Sequence, residues 1–229
     1  MTSFRTFVIA SALAAMEIAT ASQSAAQATA SLPPKSAAAL HSDSLATAKA
    51  RADSQRLPYT SADVYFMSGM IGHHAQALVM AGWAPSHGAS PPILRLCQRI
   101  INAQQDEILT MQTWLRDRKL PVPQPDPAGM KMSMNGHEMT VLMPGMLTED
   151  QMKQLDAARG PEFDRLFLTF MIQHHQGAIT MVGDLFNAEG AAQDETVFKF
   201  ASDVNVDQTT EVARMQSMLA ALPPATHSQ

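Results

Sequence analysis

Two histidine pairs, each set between methionines, occur 101 residues apart: "MIGHHAQALVM" runs from Met70 to Met80 and "MIQHHQGAITM" from Met171 to Met181. Imidazole nitrogen and thioether sulfur are both metal donors. Thioethers are soft and prefer Cu(I), and by analogy Ag(I), whereas imidazole accepts Cu(I), Cu(II) or Zn. A thioether has no proton to lose, so methionine ligation survives acid, while histidine ligation weakens as pH falls through about 6.5. The candidate ligands of these two stretches are Met70, His73, His74, Met80, Met171, His174, His175 and Met181. A third stretch, "MKMSMNGHEMTVLMPGM" over 130–146, carries six Met and one His in 17 residues. It has no clear period and reads as a flexible soft-metal arm, with Met130, Met132, Met134, His137, Met139, Met143 and Met146 as further candidates; the alternative is a loop that only packs its methionines against the helices.

The bland reading stands beside this one. A methionine stripe at helical spacing is more often gap-filling core than a ligand set, and a single inward histidine is more often a satisfied core residue. Two adjacent histidines at equivalent places in two stretches shift that balance, because a core has little use for four imidazoles.

The elements that must position these residues are helical. After Thr60 and Ser61, an apolar pattern of helical period runs to Gly82, with Asp63 in the first turn. Asp63, Phe66, Met67, Met70, His73, His74, Ala77 and Met80 fall on one stripe, so both histidines face inward or flank the seam. Ser90 as N-cap and Pro91 in the first turn open a second helix running to about Lys119. On it Cys97, Gln104, Glu107, Met111 and Leu115 share a face, which sets polar residues where a plain bundle would place Leu. Glu107 and Glu211 read either as acceptors for histidine ring N–H groups or as structural hydrogen-bonding residues. "TEDQ", Thr148 to Gln151, is a capping box for a short helix. A long helix from about Pro161 to Asn187 and another ending near Leu222 follow.

The second helix pair repeats the first. Aligning 63–80 with 164–181 keeps Asp63/Asp164, Phe66/Phe167, Met70/Met171, Ile71/Ile172, His73/His174, His74/His175, Ala77/Ala178 and Met80/Met181, and Gln104, Glu107 and Met111 then match Gln208, Glu211 and Met215. Two copies of a helical hairpin predict an all-α, pseudo-symmetric four-helix bundle. The organisation expected is a signal peptide over 1–28, an Ala/Ser-rich tether over 29–57, hairpin repeat 1 over 58–120, a Pro-rich spacer and Met-rich arm over 121–147, hairpin repeat 2 over 148–222 and a tail over 223–229.

The signal peptide rests on Arg5, the apolar run Phe7 to Ala15, and small-residue cleavage sites ending at Ala21 or Ala28, an uncleaved anchor being the alternative. A periplasmic or secreted location follows, with no membrane span after cleavage. Net charge is −5, which argues against nucleic acid as a partner. The single cysteine, Cys97, forbids an internal disulfide, a C-x-x-C redox motif and c-type haem attachment, and reads as an inert core thiol. His41, His87 and His227 lie in unpatterned segments and read as surface residues.

The frame D-x-x-F-x-x-x-M-I-x-H-H-x-x-A-x-x-M, with Q-x-x-E-x-x-x-M on the next helix, resembles the family called domain of unknown function 305 over about residues 60–220. "MPGMLTEDQMKQLDAARGPEFDRLFLTFMIQHHQGAITM" looks especially typical of it. The resemblance implies an exported protein with a ferritin-like helical fold, and periplasmic copper binding and copper tolerance through the His and Met positions named above together with the arm. The leading reading is a protein that sequesters or carries Cu(I), with Cu(II) or Ag(I) as alternative cargo and a periplasmic copper efflux or transfer protein as candidate partner. Oligomeric state is open.

Two other classes compete. One is a structural, sensor or interaction bundle whose histidines are core residues. The other is a ferritin-like oxidase; no Glu is followed three residues later by His, which argues against a di-iron centre, while a copper oxidase stays open. No H-E-x-x-H and no G-x-S-x-G supports a hydrolase, and no enzymatic activity is expected.

Overall fold

A computed structural model describes residues 59–134 and 137–224. The expected signal peptide, the tether, His41 and His227 lie outside the described residues. The described chain is mostly helical: α1 (Ser61–Gly82), α2 (Pro91–Asp117), β1 (Met130–Met134), β2 (His137–Val141), α3 (Glu149–Ala157), α4 (Pro161–Asn187) and α5 (Glu195–Ala221). α1 packs along α2, α4 along α5, and α1 against α4. No helix among the described residues is long and apolar enough to cross a membrane.

Each helix start has a local cause. Thr60 and Asp63 form a capping box on α1, the Asp63 carboxylate accepting the Thr60 N–H at 2.6 Å. Thr148 and Gln151 do the same for α3. Asp194 caps α5 by accepting from the Thr196 and Val197 N–H groups at 3.0 and 3.1 Å. Ser90 is the N-cap residue of α2 and Pro91 opens its first turn, as expected, but the Ser90 hydroxyl makes no cap bond; its own N–H donates to the Asp164 carboxylate at 3.1 Å.

That last contact has a counterpart. Asp63, the repeat equivalent of Asp164, accepts the Ala192 N–H at 2.7 Å. Each hairpin therefore extends a buried carboxylate from the start of its histidine helix to the loop before the other hairpin's second helix. Both aspartates are almost wholly buried. A buried carboxylate is tolerated because backbone N–H groups meet it, and here those bonds also tie the two repeats together.

The expectation of an all-α chain with a flexible arm is corrected by a two-stranded antiparallel ribbon, Met130–Met134 pairing with His137–Val141. Met130, Met132 and Met134 alternate with Lys131 and Ser133, the period of a strand, and Asn135–Gly136 is the dipeptide that favours a two-residue hairpin turn. Those two signals were in the sequence.

The arm is also clamped at its base. Gln76 of α1 donates to the Leu147 and Pro127 carbonyls at 3.0 and 3.1 Å and accepts the Leu147 N–H at 2.7 Å. The Pro144–Gly145 turn sits on α4 at Gly177. Gly145 has φ +76°, and a Cβ there would lie 2.6 Å from the Gln173 carbonyl oxygen and 2.7 Å from the Gly177 Cα. Only two glycines let the backbones come this close.

Candidate metal centre

The inward stripe on α1 puts Met70, His73, His74 and Met80 in the core, and the same stripe on α4 buries Met171, His174, His175 and Met181. All four histidines are completely buried. Where α1 crosses α4, the His73 and His174 rings lie 3.8 Å apart between centroids, with His74 6.1 Å from His73 and His175 6.1 Å from His174.

Every Nε2 faces an oxygen that can only accept. His73 Nε2 is 3.0 Å from the Pro144 carbonyl oxygen, and His174 Nε2 is 3.0 Å from the His73 carbonyl oxygen. His74 Nε2 is 2.6 Å from Glu107 Oε2, and His175 Nε2 is 2.8 Å from Glu211 Oε2. A carbonyl or carboxylate oxygen offers no hydrogen, so the ring hydrogen sits on Nε2 in each case. A neutral ring so arranged leaves a bare lone pair on Nδ1. All four Nδ1 atoms are buried and none has a hydrogen-bond partner.

Burial first, then the neighbouring histidines, holds His73 and His174 well below the ordinary histidine pKa, so those two rings are neutral at pH 7. This is the arrangement of a metal-ligating imidazole, in which one nitrogen donates to a carboxylate or backbone oxygen and the other is free to bind the ion. The donor chemistry fits a soft or borderline metal. Among the described residues, however, no three His, Cys, Asp or Glu side chains already converge as a metal-holding group.

The thioethers sort into two groups on either side of the histidines. Met70 and Met181 share one core cluster with Met143 and Met146, and Met130 packs against it half-buried. Met80 and Met171 share the other. Each cluster thus takes one methionine from each histidine helix. The sulfurs of Met143 and Met130 would stand 3.2 and 3.6 Å from a Cβ added at Gly69, so both arm methionines are seated on α1. A small cavity of about 130 Å³ lined by Tyr65, Met143, Met181 and Asp184 opens beside this cluster.

Met132 and Met139 of the ribbon belong to neither core cluster. Met132 and Met139 pair across the ribbon, with Met139 47% exposed, and His137 is exposed. Met134 pairs in register with His137. Residues opposite each other in an antiparallel pair share a face, so Met130, Met132, His137 and Met139 lie on one side of the ribbon.

Three further expectations meet the structure. Glu107 and Glu211 do accept from histidine rings. Cys97 is buried, and its thiol is pushed up to about 12, chiefly by that burial, which keeps it protonated and inert. His87 is not a surface residue: it is 4% exposed, stacks on Trp83, and its Nε2 lies 2.9 Å from the Asp156 carbonyl oxygen. The sequence reading overlooked Gln76, Pro144 and Gly177, which orient the turn against His73; the "MPGM" motif was the available signal.

The profile of the domain of unknown function DUF305 matches residues 63–219. A stretch of 58 residues is 40% identical to the uncharacterised protein L153 of Acanthamoeba polyphaga mimivirus, covering 25% of this chain and 38% of that protein. The fold is similar to that of a presumed secreted DUF305 protein of Streptomyces coelicolor, at 27% identity and a TM-score of 0.58 over 69% of this chain and 92% of that one. It is similar also to CopM in its Cu(I)-bound form, at 28% identity and a TM-score of 0.52 over 69% and 95% of the two chains. CopM has Cu(II)-bound and Ag-bound forms as well.

Proposed function

The chain belongs to the DUF305 family, and on that premise we propose that it is an exported copper-binding protein that sequesters or carries Cu(I) through histidine and methionine side chains, with its two hairpins closed into a ferritin-like four-helix bundle. The observation that carries the reading is the set of four buried Nδ1 atoms without partners. A core that used histidine only for packing would gain by pairing these nitrogens, because an unsatisfied buried polar atom costs about 1–3 kcal/mol. Four such atoms on equivalent residues of two repeats are explained together if a metal takes them.

The thioethers decide which metal suits best. Met70, Met143, Met146 and Met181 in one cluster supply soft donors beside the imidazoles, which favours Cu(I) and Ag(I) over harder ions. The likeness to CopM supports the same cargo. The exposed ribbon, with Met132, Met139 and His137, is the natural place for first capture, and a copper transfer or efflux protein is the partner such a carrier would serve.

The test is an anaerobic Cu(I) competition titration of the wild type and of a Met70→Leu, Met143→Leu, Met181→Leu variant. Loss of Cu(I) affinity with Cu(II) affinity retained supports thioether ligation. The competing reading, histidines as architecture, is favoured by the lack of a convergent three-donor group among the described residues. It predicts no specific Cu(I) uptake by the wild type.

A further inference from the structure

A cavity of about 310 Å³ lies between α2 and α5. Three carboxylates line it, Glu107, Asp207 and Glu211, together with Gln104 and Gln208. Arg99 and Arg214 line it too. An adjoining cavity continues along the same helices past Asp106, Glu195 and Asp203, with Lys199 on its wall.

The glutamines are the informative residues. Gln104 is 2% exposed and neither atom of its amide has a hydrogen-bond partner; Gln208 is 3% exposed and its Oε1 has none. The oxygen and nitrogen of an amide exchange places on a flip, so Gln104 offers an unpaired oxygen in either orientation. A buried amide without partners is destabilising unless something supplies them. The carboxylates crowd as well: the Asp207 carboxyl, on an exposed residue, is pushed up first by partial desolvation and then by Glu107, Asp203 and Glu211. Glu107 and Glu211 use Oε2 on the histidine rings, which leaves Oε1 of each for another partner.

We propose that this groove binds a divalent, oxygen-seeking cation such as Mn(II) or Ca(II), held by Glu107, Asp207 and Glu211 and by the amide oxygens of Gln104 and Gln208. Every donor of the set is oxygen, the choice of hard cations, whereas the thioether cluster on α1 and α4 is soft. The carboxylates line the cavity without already converging, so the ion keeps part of its water shell and bridges the two helices. The cation would satisfy the orphaned amides and relieve the repulsion among the carboxylates. The site does not depend on the copper reading.

The test is an Mn(II) titration of the full chain followed by EPR, in which the signal of free Mn(II) disappears on binding. The wild type is expected to take up Mn(II) and to release it when Ca(II) is added. Asp207→Asn, at an exposed position, should weaken uptake by about tenfold, since ligand charge count tunes affinity at such sites. Gln104→Leu, which keeps the core apolar, should weaken uptake as well. Asp150→Asn on α3 should bind as the wild type does, and Cu(I) affinity should be the same in Asp207→Asn and wild type. No uptake by the wild type, equal uptake by Asp207→Asn and Gln104→Leu, or an equal loss in Asp150→Asn would overturn the proposal.

Discussion

A histidine ring has two nitrogens, and in this core one of each pair is committed while the other is bare. That the pairs face inward was legible from helical spacing, and so were their glutamate partners, because Glu107 and Glu211 fall on the inward face of the partner helices. The Pro144 and His73 carbonyls that meet the other two rings were not, since backbone acceptors leave no trace in residue type. Glu107→Ala should lower Cu(I) affinity by about 10- to 100-fold by releasing His74 from its orientation, as read by competition titration. Metal-free stability should depend on pH as well. His73 and His174 are held neutral by burial, so the unfolded chain takes up protons near pH 6.5 while the folded one resists until lower pH. The unfolded state then binds more protons across that window, and stability falls as pH drops below about 6.5. Urea unfolding at pH 7.5 and pH 5.5 checks this: the midpoint should be lower at pH 5.5, and replacing His73 and His174 by Gln should reduce the difference.

Among the elements, the long helices follow from their caps and their period, and the ribbon is where a local signal was overlooked. Met130, Met132 and Met134 alternate with Lys131 and Ser133, a period-2 run of only five residues within a segment that carries six methionines. The clamp at the arm's base was illegible for another reason: Gln76 lies 71 residues from Leu147, and nothing local marks the contact. Gly177→Ala would drive a methyl group into the Pro144–Gly145 turn and should cost about 1–3 kcal/mol, measurable by chemical denaturation. Deleting 131–140 should leave Tm nearly unchanged, because most of those side chains are exposed. The same deletion should slow Cu(I) uptake in stopped-flow mixing if the ribbon makes the first capture; an unchanged rate would remove the ribbon from the account.

Across the whole molecule, the internal repeat is what the sequence discloses most clearly, and the reciprocal use of Asp63 and Asp164 is its structural outcome. Each was legible as a first-turn acid, but its reach into the other hairpin depends on how the repeats meet, which no local pattern encodes. Asp63→Ala removes the N3 half of the α1 capping box and strands the buried Ala192 N–H, and should destabilise the protein by about 2–3 kcal/mol. The buried imidazoles are tested by an anaerobic Cu(I) competition titration of the wild type beside a variant with His73, His74, His174 and His175 all changed to Ala, with circular dichroism confirming that the variant folds. Tight binding by the wild type is expected, with at least about a 100-fold loss in the variant, in keeping with removal of direct ligands rather than their supports. A folded variant with unchanged Cu(I) affinity would contradict ligation by these rings.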